Sequence, residues 1–150
     1  LKGARIQKIE KYIDGDFMVT YGDGMSNVDI DNLVRFHKKH GKVATVTGVS
    51  PRSSYGQIKA EEGKVLGFIE KPKIEGGMIN GGFFIFQKKF FNYLNANDNC
   101  DFEIGPLEHL TKDGELMVYH HKGDWVCMDT YRDSVFLNSL WEKNQAFWKS

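Results

Sequence analysis

The amino-acid sequence predicts an α/β domain with a mixed, mostly parallel β-sheet that is flanked by helices and carries a β-hairpin insertion. Three observations predict this class. Residues 17–49 have a strand-helix-strand order, two short extended runs flank the turn at residues 61–63, and residues 81–86 form an aromatic-rich apolar segment. Because the first unit is a βαβ crossover, its two strands should be parallel. The 150 residues fit a single domain.

Apolar spacing defines the elements before the hairpin. Apolar residues at helical spacing predict helices, and runs of β-branched or apolar residues predict buried strands. The predicted elements are a helix with Ile6, Ile9 and Ile13 on one face, a strand over 17–21, a helix over 29–40 and a strand over 43–49. Side chains suited to capping occur in residues 26–29, and Gly41 ends the second helix.

The second half of the chain alternates again between extended and helical patterns. The predicted elements are hairpin strands over 56–60 and 64–70, a central strand over 81–86, short helices over 88–94 and 102–111, a strand over 116–121, an extended piece over 125–128 and a helix over 130–144. Pro72 ends the second hairpin strand, because proline restricts the residue before it. No internal repeat or low-complexity stretch interrupts this order.

Composition narrows the possible functions. Twenty basic and twenty acidic residues cancel, so the overall charge gives no indication of a nucleic-acid binder. No apolar run approaches the length that spans a bilayer, and residues 1–5 lack the apolar core of a signal peptide, so no membrane partner is expected. Cys100 and Cys127 share no CxxC spacing, which favours a reducing cytoplasm over a zinc or disulfide framework.

Two acids each follow an extended run and are the first candidates for catalysis. Asp23 lies between two glycines at the end of the first strand, and Asp129 follows the extended piece that precedes the last helix. If both carboxylates meet at one sheet edge, a cation such as Mg²⁺ would relieve their repulsion and favour phosphoryl chemistry. The alternatives are a simple turn at Asp23 and helix capping by Asp129 or Thr130.

Three further segments offer polar groups suited to a sugar phosphate. Glu70 and Lys71 pair an acceptor with a donor just before proline, although a solvated ion pair is an ordinary alternative. Tyr55-Gly56 offers an aromatic face and a hydroxyl, and core packing is its alternative role. Asn80-Gly81 precedes the central strand and could equally mark a bulge or tight bend. The five histidines show no metal-binding spacing, which predicts surface or helix-end positions for them.

The order of these motifs resembles the sugar-phosphate nucleotidyltransferases, and more narrowly the glucose-1-phosphate cytidylyltransferases. The resemblance extends over nearly the whole chain and rests on four motifs in the same order. They are Tyr21-Gly22-Asp23-Gly24, Glu70-Lys71-Pro72, Asn80-Gly81-Gly82-Phe83-Phe84 and Met128-Asp129-Thr130. The resemblance implies a partial Rossmann-like nucleotidyltransferase fold. It also implies a Mg²⁺-dependent reaction in which glucose 1-phosphate attacks CTP to give CDP-glucose and pyrophosphate.

The resemblance also implies a role for each matched position. Asp23 and Asp129 would be the catalytic metal ligands. Thr20, Tyr21 and Gly22 would line the nucleotide pocket. The positions implied for the sugar phosphate are Tyr55, Gly56, Glu70, Lys71, Asn80 and Gly81.

One family motif does not occur in these 150 residues, namely the Gly-x-Gly-Thr-Arg loop that holds the triphosphate in the family. Backbone N–H groups of such loops form an anion cradle that two aspartates cannot replace. We therefore expect a truncated domain that is inactive alone. The alternative is a non-catalytic module that binds a nucleotide sugar or takes part in assembly. A sheet without its first strands would expose an edge, which predicts a homo-oligomer.

Overall fold

The computed structural model describes residues 1–51, 53, 55–70, 72, 77–95, 97 and 99–149. Its helices are α1 (Lys2–Lys8), α2 (Ile30–His40), α3 (Pro106–Lys112) and α4 (Tyr131–Glu142), with short 3₁₀ turns at Glu10–Tyr12, Lys88–Tyr93 and Phe147–Lys149. Its strands are β1 (Phe17–Thr20), β2 (Gly24–Ser26), β3 (Ala44–Val49), β4 (Gln57–Glu61), β5 (Lys64–Ile69), β6 (Ile79–Phe86), β7 (Leu116–His121) and β8 (Trp125–Cys127). Within the described residues, no helix combines the length and apolarity needed to cross a membrane.

Four strands form the central sheet in the order β1-β6-β3-β7. Strand β6 is antiparallel to both β1 and β3, whereas β3 and β7 are parallel. Three of the four strands therefore point the same way, which confirms a mixed α/β sheet, although two of its three strand pairs are antiparallel. The βαβ strands β1 and β3 are parallel as predicted, but β6 lies between them. Its central place explains its composition, because both of its edges and both of its faces are covered.

Phenylalanines make up six of the ten buried residues of the main core cluster, and two of them come from β6. Phe84 and Phe86 are almost completely buried, and the Phe86 ring stacks on Phe90 with 3.8 Å between ring centroids. Phe102 packs edge-on against both rings of the strand, with centroid distances of 5.2 Å to Phe84 and 6.1 Å to Phe86. Perpendicular contacts such as those of Phe102 are favoured by aromatic pairs. Phe102 thereby anchors the loop before α3 to the face of the sheet.

Local chemistry explains where the two longest helices begin and end. The Asp29 carboxylate accepts a hydrogen bond of 2.8 Å from the Asn32 backbone N–H at the start of α2. Gly41 ends α2 with a left-handed φ of 65°, as the sequence predicts. Helix α4 begins with a capping box, in which Thr130 and Asp133 each satisfy a backbone donor of the other.

The predicted hairpin is present as β4 and β5 and forms a separate two-stranded sheet. Its two-residue turn places Glu62 and Gly63 at φ values of 45° and 82°, the left-handed conformations that tight hairpins require. Apart from half-buried Gly67, every residue of the two strands is exposed. The exposed set includes the large apolar side chains of Ile58, Leu66 and Phe68.

Two histidines are buried. The prediction that all five lie at the surface or at helix ends was wrong for His121, which ends strand β7, whereas His37 lies in the last turn of α2 and is buried there. His37 is 1% exposed and His121 is 9% exposed. His37 lies on the face of α2 that packs on β3, where its Nδ1 is 2.7 Å from the Thr45 hydroxyl. The same hydroxyl is 2.8 Å from Nε2 of His40. The Thr45 hydroxyl satisfies one ring nitrogen of His37, whereas its buried Nε2 has no hydrogen-bond partner among the described residues.

The hydrogen bonds of this cluster determine which ring nitrogens carry protons. The Lys42 backbone N–H donates to His40 Nδ1, so the His40 proton lies on Nε2 and is donated to Thr45. The Thr45 hydroxyl then donates to His37 Nδ1. Burial, followed by repulsion from His40, lowers the pKa of His37, and Asp16 opposes this weakly. Burial and then Lys42 lower the pKa of His40, against the attraction of Glu115.

We expect the free energy of unfolding to fall as the pH drops from 7.5 to 5. Because both histidine pKa values are lower in the folded protein, the unfolded chain binds more protons on acidification. The stability that the two neutral histidines contribute is complete above the ordinary histidine pKa of about 6.5. It is lost as the pH falls towards the lowered pKa values of the folded protein. Urea unfolding at several pH values measures it. His37→Gln should flatten the pH dependence, whereas His120→Gln, at an exposed position, should leave it unchanged; an unchanged slope in His37→Gln would contradict the prediction.

Candidate functional site

A small two-stranded sheet brings the two candidate aspartates together. Strand β2 pairs with β8 so that Gly24 lies opposite Cys127. The Met128 backbone N–H donates a hydrogen bond of 2.8 Å to the Asp23 carbonyl, which extends the pairing by one residue. Asp129 follows directly. The backbone pairing therefore holds Asp23 itself and the residue before Asp129, although the two acids are far apart in the chain.

The carboxylates of Asp23 and Asp129 converge with the thiol of Cys127. One potential ligand atom from each side chain lies within 4.8 Å of the other two. Both carboxylates are exposed, and the thiol is half-buried. Burial raises the pKa of the Cys127 thiol to about 11, and its hydrogen bond with Asp129 and the charge of Asp23 add to the rise. Two carboxylate oxygens aimed at one point match what a hard divalent cation takes from a protein, so the donor set fits such an ion.

Asp129 is not the residue that caps α4. The Thr130 hydroxyl oxygen accepts from the Asp133 backbone N–H, and the Asp133 carboxylate accepts from the Thr130 backbone N–H at 2.8 Å. These hydrogen bonds with Thr130 lower the pKa of Asp133. The capping role that the sequence left open between Asp129 and Thr130 therefore belongs to Thr130. Because Thr130 and Asp133 cap the helix, the Asp129 carboxylate is available to the aspartate-thiol cluster.

A second polar cluster lies beside the first and centres on Glu103. Its carboxylate accepts hydrogen bonds from the Tyr21 hydroxyl and from Asn80 Nδ2, the latter at 3.0 Å. It also forms an ion pair with Lys2, whose Nζ lies 4.7 Å from the centre of the Tyr21 ring. Burial opposes ionisation of Glu103, but the hydrogen bonds from Lys2 and Tyr21 prevail and lower its pKa. Burial and the nearby Glu103 raise the pKa of Tyr21, which keeps its hydroxyl protonated as a donor.

Backbone contacts bring Tyr21 and Asn80 to this cluster. The Tyr21 N–H donates to the Gly82 carbonyl at 2.9 Å, and the Gly82 N–H donates to the Asn80 side chain at 2.9 Å. Gly82 has a φ of 78°, and a Cβ there would lie 2.8 Å from the Tyr21 ring. A Cβ on Gly81 would lie 3.0 Å from the Thr47 carbonyl. Only glycine fits at these two positions without displacing a neighbour. The Asn80-Gly81-Gly82 backbone can therefore lie close to Tyr21 and Thr47.

The Trp125 indole joins the two clusters. Its Nε1 donates a hydrogen bond of 2.8 Å to the Gly81 carbonyl, and Trp125 lies in β8 two residues before Cys127. Thr20 and Gly22 are exposed on either side of Tyr21. The structure therefore places four predicted positions at one end of the central sheet: Tyr21, Asp23, Asn80 and Gly81. Asp129 joins them through the pairing of β2 with β8.

The remaining predicted positions belong to the hairpin. Tyr55 is 80% exposed, which excludes the core-packing alternative for it. Gly56 lies close to Glu70, because a Cβ on Gly56 would be 2.9 Å from the Glu70 carboxylate. Lys71 lies outside the described residues. Within the described part of the chain, no hydrogen bond or ion pair links Tyr55, Gly56 or Glu70 to Asp23 or Asp129.

Three residues of these clusters were not predicted from the sequence. Glu103 was placed inside a helix over 102–111, but α3 begins only at Pro106, which leaves Glu103 in the preceding loop. Proline at the first helical position after glycine was the available signal for that later start. Cys127 stood two residues before Asp129, a spacing that places both side chains on one face of an extended strand. Lys2 carried no signal of its contact with Glu103.

Comparisons with known proteins identify the family of the chain. The family model described as "Nucleotidyl transferase" matches residues 3–149. The chain is 43% identical to a glucose-1-phosphate cytidylyltransferase from Salmonella typhi, over 100% of this chain and 59% of that protein. It is 42% identical to a probable glucose-1-phosphate cytidylyltransferase from Bacillus subtilis, over 99% of this chain and 59% of that protein. The chain thus spans 59% of the length of these relatives.

A solved structure supports the fold. The structure of HddC from Yersinia pseudotuberculosis is similar with a TM-score of 0.64, covering 89% of this chain and 59% of that chain. The sequence identity in this comparison is 23%, so the likeness concerns the fold alone. The family model, by contrast, matches almost the whole chain and includes every described residue of both clusters except Lys2. The chain therefore belongs to the nucleotidyl transferase family.

Proposed function

We propose that this chain carries the metal-binding and sugar-phosphate-binding part of a glucose-1-phosphate cytidylyltransferase site. The parent reaction joins CTP and glucose 1-phosphate into CDP-glucose and releases pyrophosphate. The convergence of Asp23 and Asp129 is the observation that carries this proposal, because separated carboxylates meet at one point where a phosphate-bound cation would be held. The similarity to glucose-1-phosphate cytidylyltransferases supports the choice of substrates.

Asp23 and Asp129 are the residues that would hold Mg²⁺. When bound, the ion neutralises phosphate charge during phosphoryl transfer. The exposure of both carboxylates allows a phosphate-bound ion to reach them from solvent. Thr20, Tyr21 and Gly22 precede Asp23 directly and would line the nucleotide. Residues that hold the two reactants in a reactive geometry lower the reaction barrier, because the entropy of bringing the reactants together has already been lost on binding.

The Glu103 cluster would orient the sugar. Asn80 and Gly81 would contact sugar hydroxyls, and Glu103 would set the Asn80 amide through their hydrogen bond of 3.0 Å. From the hairpin, Tyr55 and Gly56 would contact the sugar, and Glu70 and Lys71 would meet the sugar phosphate. This last group is supported by the family resemblance and by the closeness of Gly56 to Glu70.

Titration with glucose 1-phosphate tests the sugar side of the proposal. We expect Glu103→Gln to weaken binding about tenfold, because hydrogen bonds to charged groups contribute about 1.5–3 kcal/mol. Glu70→Ala and Lys71→Ala should also weaken it. Glu108→Gln, at an exposed position on α3, is the matched control and should bind like the unmodified chain. Calorimetry measures these affinities, and equal affinity in all four variants and the unmodified chain would refute the assignment.

Turnover is not expected from these 150 residues alone, because they contain no Gly-x-Gly-Thr-Arg cradle for the triphosphate. The assay is pyrophosphate release from CTP and glucose 1-phosphate with Mg²⁺. Release well above the background without protein would show that other groups of this chain replace the cradle. Titration with CTP and CDP-glucose in parallel separates a chain that binds nucleotide from one that binds only the sugar phosphate.

A second candidate function is assembly, favoured by the exposed apolar side chains of the hairpin. Ile58, Leu66 and Phe68 are 60%, 51% and 61% exposed. Contiguous apolar side chains of this kind often mark protein interfaces. The partner that we propose for the hairpin is a second copy of this chain.

The location that we propose is a reducing cytoplasm, which the free thiols of Cys100 and Cys127 support.

Sedimentation velocity tests self-association. We expect a dimer or larger oligomer at high protein concentration, and we expect Phe68→Ser combined with Leu66→Ser to shift it towards monomer, because burial of apolar surface drives most association. Lys59→Ser on the same hairpin is the control. A purely monomeric unmodified chain, or a double variant that associates as strongly as the unmodified one, would exclude the hairpin as the interface.

A further inference from the structure

Cys127 adds a third donor to the pair of aspartates. Its Sγ and the nearer carboxylate oxygens of Asp23 and Asp129 all lie within 4.8 Å of one another. A zinc ion bonds sulfur at about 2.3 Å and carboxylate oxygen at about 2.0–2.2 Å, so two donors on one ion are at most about 4.5 Å apart. Because the two aspartates are exposed, small side-chain rotations suffice to close the set.

The pairing of β2 with β8 places all three donors independently of a bound ion. Cys127 pairs with Gly24 in β2, and the hydrogen bond from Met128 to the Asp23 carbonyl fixes the next step of the ladder. Cys127 and Asp129 are two apart in an extended segment, so their side chains lie on the same side. The thiol is therefore beside the carboxylates because of the backbone register, and it is half-buried rather than sealed in the core.

Sulfur changes which metal such a site prefers. Mg²⁺ takes oxygen donors and retains several waters, whereas Zn²⁺ and Cd²⁺ bind thiolate strongly. Three protein donors with an open fourth position match the arrangement of catalytic zinc sites. Two carboxylates alone supply only the oxygen donors that Mg²⁺ also takes, so a thiolate adds to any preference for Zn²⁺ or Cd²⁺. The thiol therefore gives this cluster a selectivity that its carboxylates do not supply.

We propose that Asp23, Cys127 and Asp129 form a mixed oxygen-sulfur site that takes a thiophilic divalent ion, such as Zn²⁺ or Cd²⁺, in preference to Mg²⁺. The bond that forms joins the metal to Sγ, and the thiol proton leaves to the solvent. Such an ion would occupy the position assigned to Mg²⁺ and compete with it. This inference rests on the proposed function in one respect, namely that Asp23 and Asp129 hold a cation.

Cd²⁺ titration of the full chain tests this site directly, with sulfur-to-cadmium charge-transfer absorption as the readout. We expect one Cd²⁺ per chain, bound in the presence of excess Mg²⁺. Cys127→Ser should abolish the absorption, and Asp23→Asn should weaken Cd²⁺ binding at least about tenfold, since even the outer partners of metal ligands contribute 10–100-fold. Cys100→Ala is the matched control, because Cys100 is buried at 5% exposure, and it should change nothing.

The result patterns separate this inference from the proposed function. Absorption that survives Cys127→Ser, or that is lost in Cys127→Ser but is unaffected by Asp23→Asn, would overturn the three-donor site. A parallel titration with Mn²⁺, followed by electron paramagnetic resonance, reports on the carboxylates alone. Mn²⁺ binding that requires Asp23, without any Cd²⁺ absorption, would sink the thiol's role and leave the proposed cation site intact. Binding of neither ion would refute both.

Discussion

Asp129→Asn is expected to weaken Mn²⁺ binding at least about tenfold while leaving the free energy of unfolding nearly unchanged. The loss in affinity follows because a neutral amide replaces one of two converging charges, and loss of a ligand should cost at least as much as loss of an outer partner, which costs 10–100-fold. Stability should persist because the cap of α4 comes from Thr130 and Asp133. Electron paramagnetic resonance of free Mn²⁺ and urea unfolding measure the two effects.

Thr130→Ala is the matched control for Asp129→Asn. It changes the neighbouring residue, and it should lower the stability of the protein while leaving Mn²⁺ affinity unchanged. Removal of the Thr130 hydroxyl leaves the Asp133 backbone N–H without its acceptor, which typically lowers helix or protein stability by about 1 kcal/mol. Both aspartates and the thiol keep their positions, so Mn²⁺ affinity should be retained. If Asp129→Asn instead destabilised the fold as much as Thr130→Ala and bound Mn²⁺ normally, Asp129 would be a structural residue.

Phe86→Ala is expected to lower the free energy of unfolding by about 3–5 kcal/mol, the usual effect of removing a buried phenylalanine. Phe86 is 0% exposed, stacks on Phe90 and contacts Phe102 edge-on. Its β6 position between β1 and β3 gives the surrounding backbone little room to collapse into the cavity. Since whole domains are stable by only about 5–15 kcal/mol, this change should threaten the fold. Urea unfolding monitored by circular dichroism measures it.

Phe136→Ala is the matched control for Phe86→Ala. Phe136 lies on α4 and is 48% exposed, so its replacement removes far less buried area. Alanine also suits a helix, and the loss should stay below about 1 kcal/mol. Equal destabilisation by the two variants would show that the stacked aromatic rings of β6 are not the main apolar core.

Local signals in the sequence predicted most elements of the fold. Capping side chains were predicted over residues 26–29, a helix end at Gly41 and a turn over residues 61–63, and all of these signals act over a few residues. The structure has the cap at Asp29, the helix end at Gly41 and the turn at Glu62-Gly63. The pairing partners of the strands were harder to predict. Strand β2 has only three residues and no alternating pattern, and it becomes a strand only because β8 offers hydrogen bonds. Its existence therefore depends on a distant segment.

The residues of the candidate site also divide into those that local sequence signals predict and those that depend on distant contacts. The sequence predicted Asp23, Asn80 and Asp129 as polar residues at strand ends or beginnings. It did not predict Glu103, because carboxylates at loops before helices are common and their contacts depend on packing. Nor did it predict that His37 lies buried, since the hydrogen bond from Thr45 that makes burial tolerable involves a different element. Each miss concerns a side chain whose partner lies on another element.

The sequence by itself determined the α/β class, the hairpin, the helix caps and, through the order of its motifs, the resemblance to the family. Those properties depend on the spacing of apolar residues and on backbone preferences, both of which act locally. Only the tertiary structure decided that Asp23 and Asp129 converge and that Cys127 joins them. The physical reason is that the register of β2 against β8 sets these positions, and this register depends on segments separated by about a hundred residues, whose pairing no local pattern specifies.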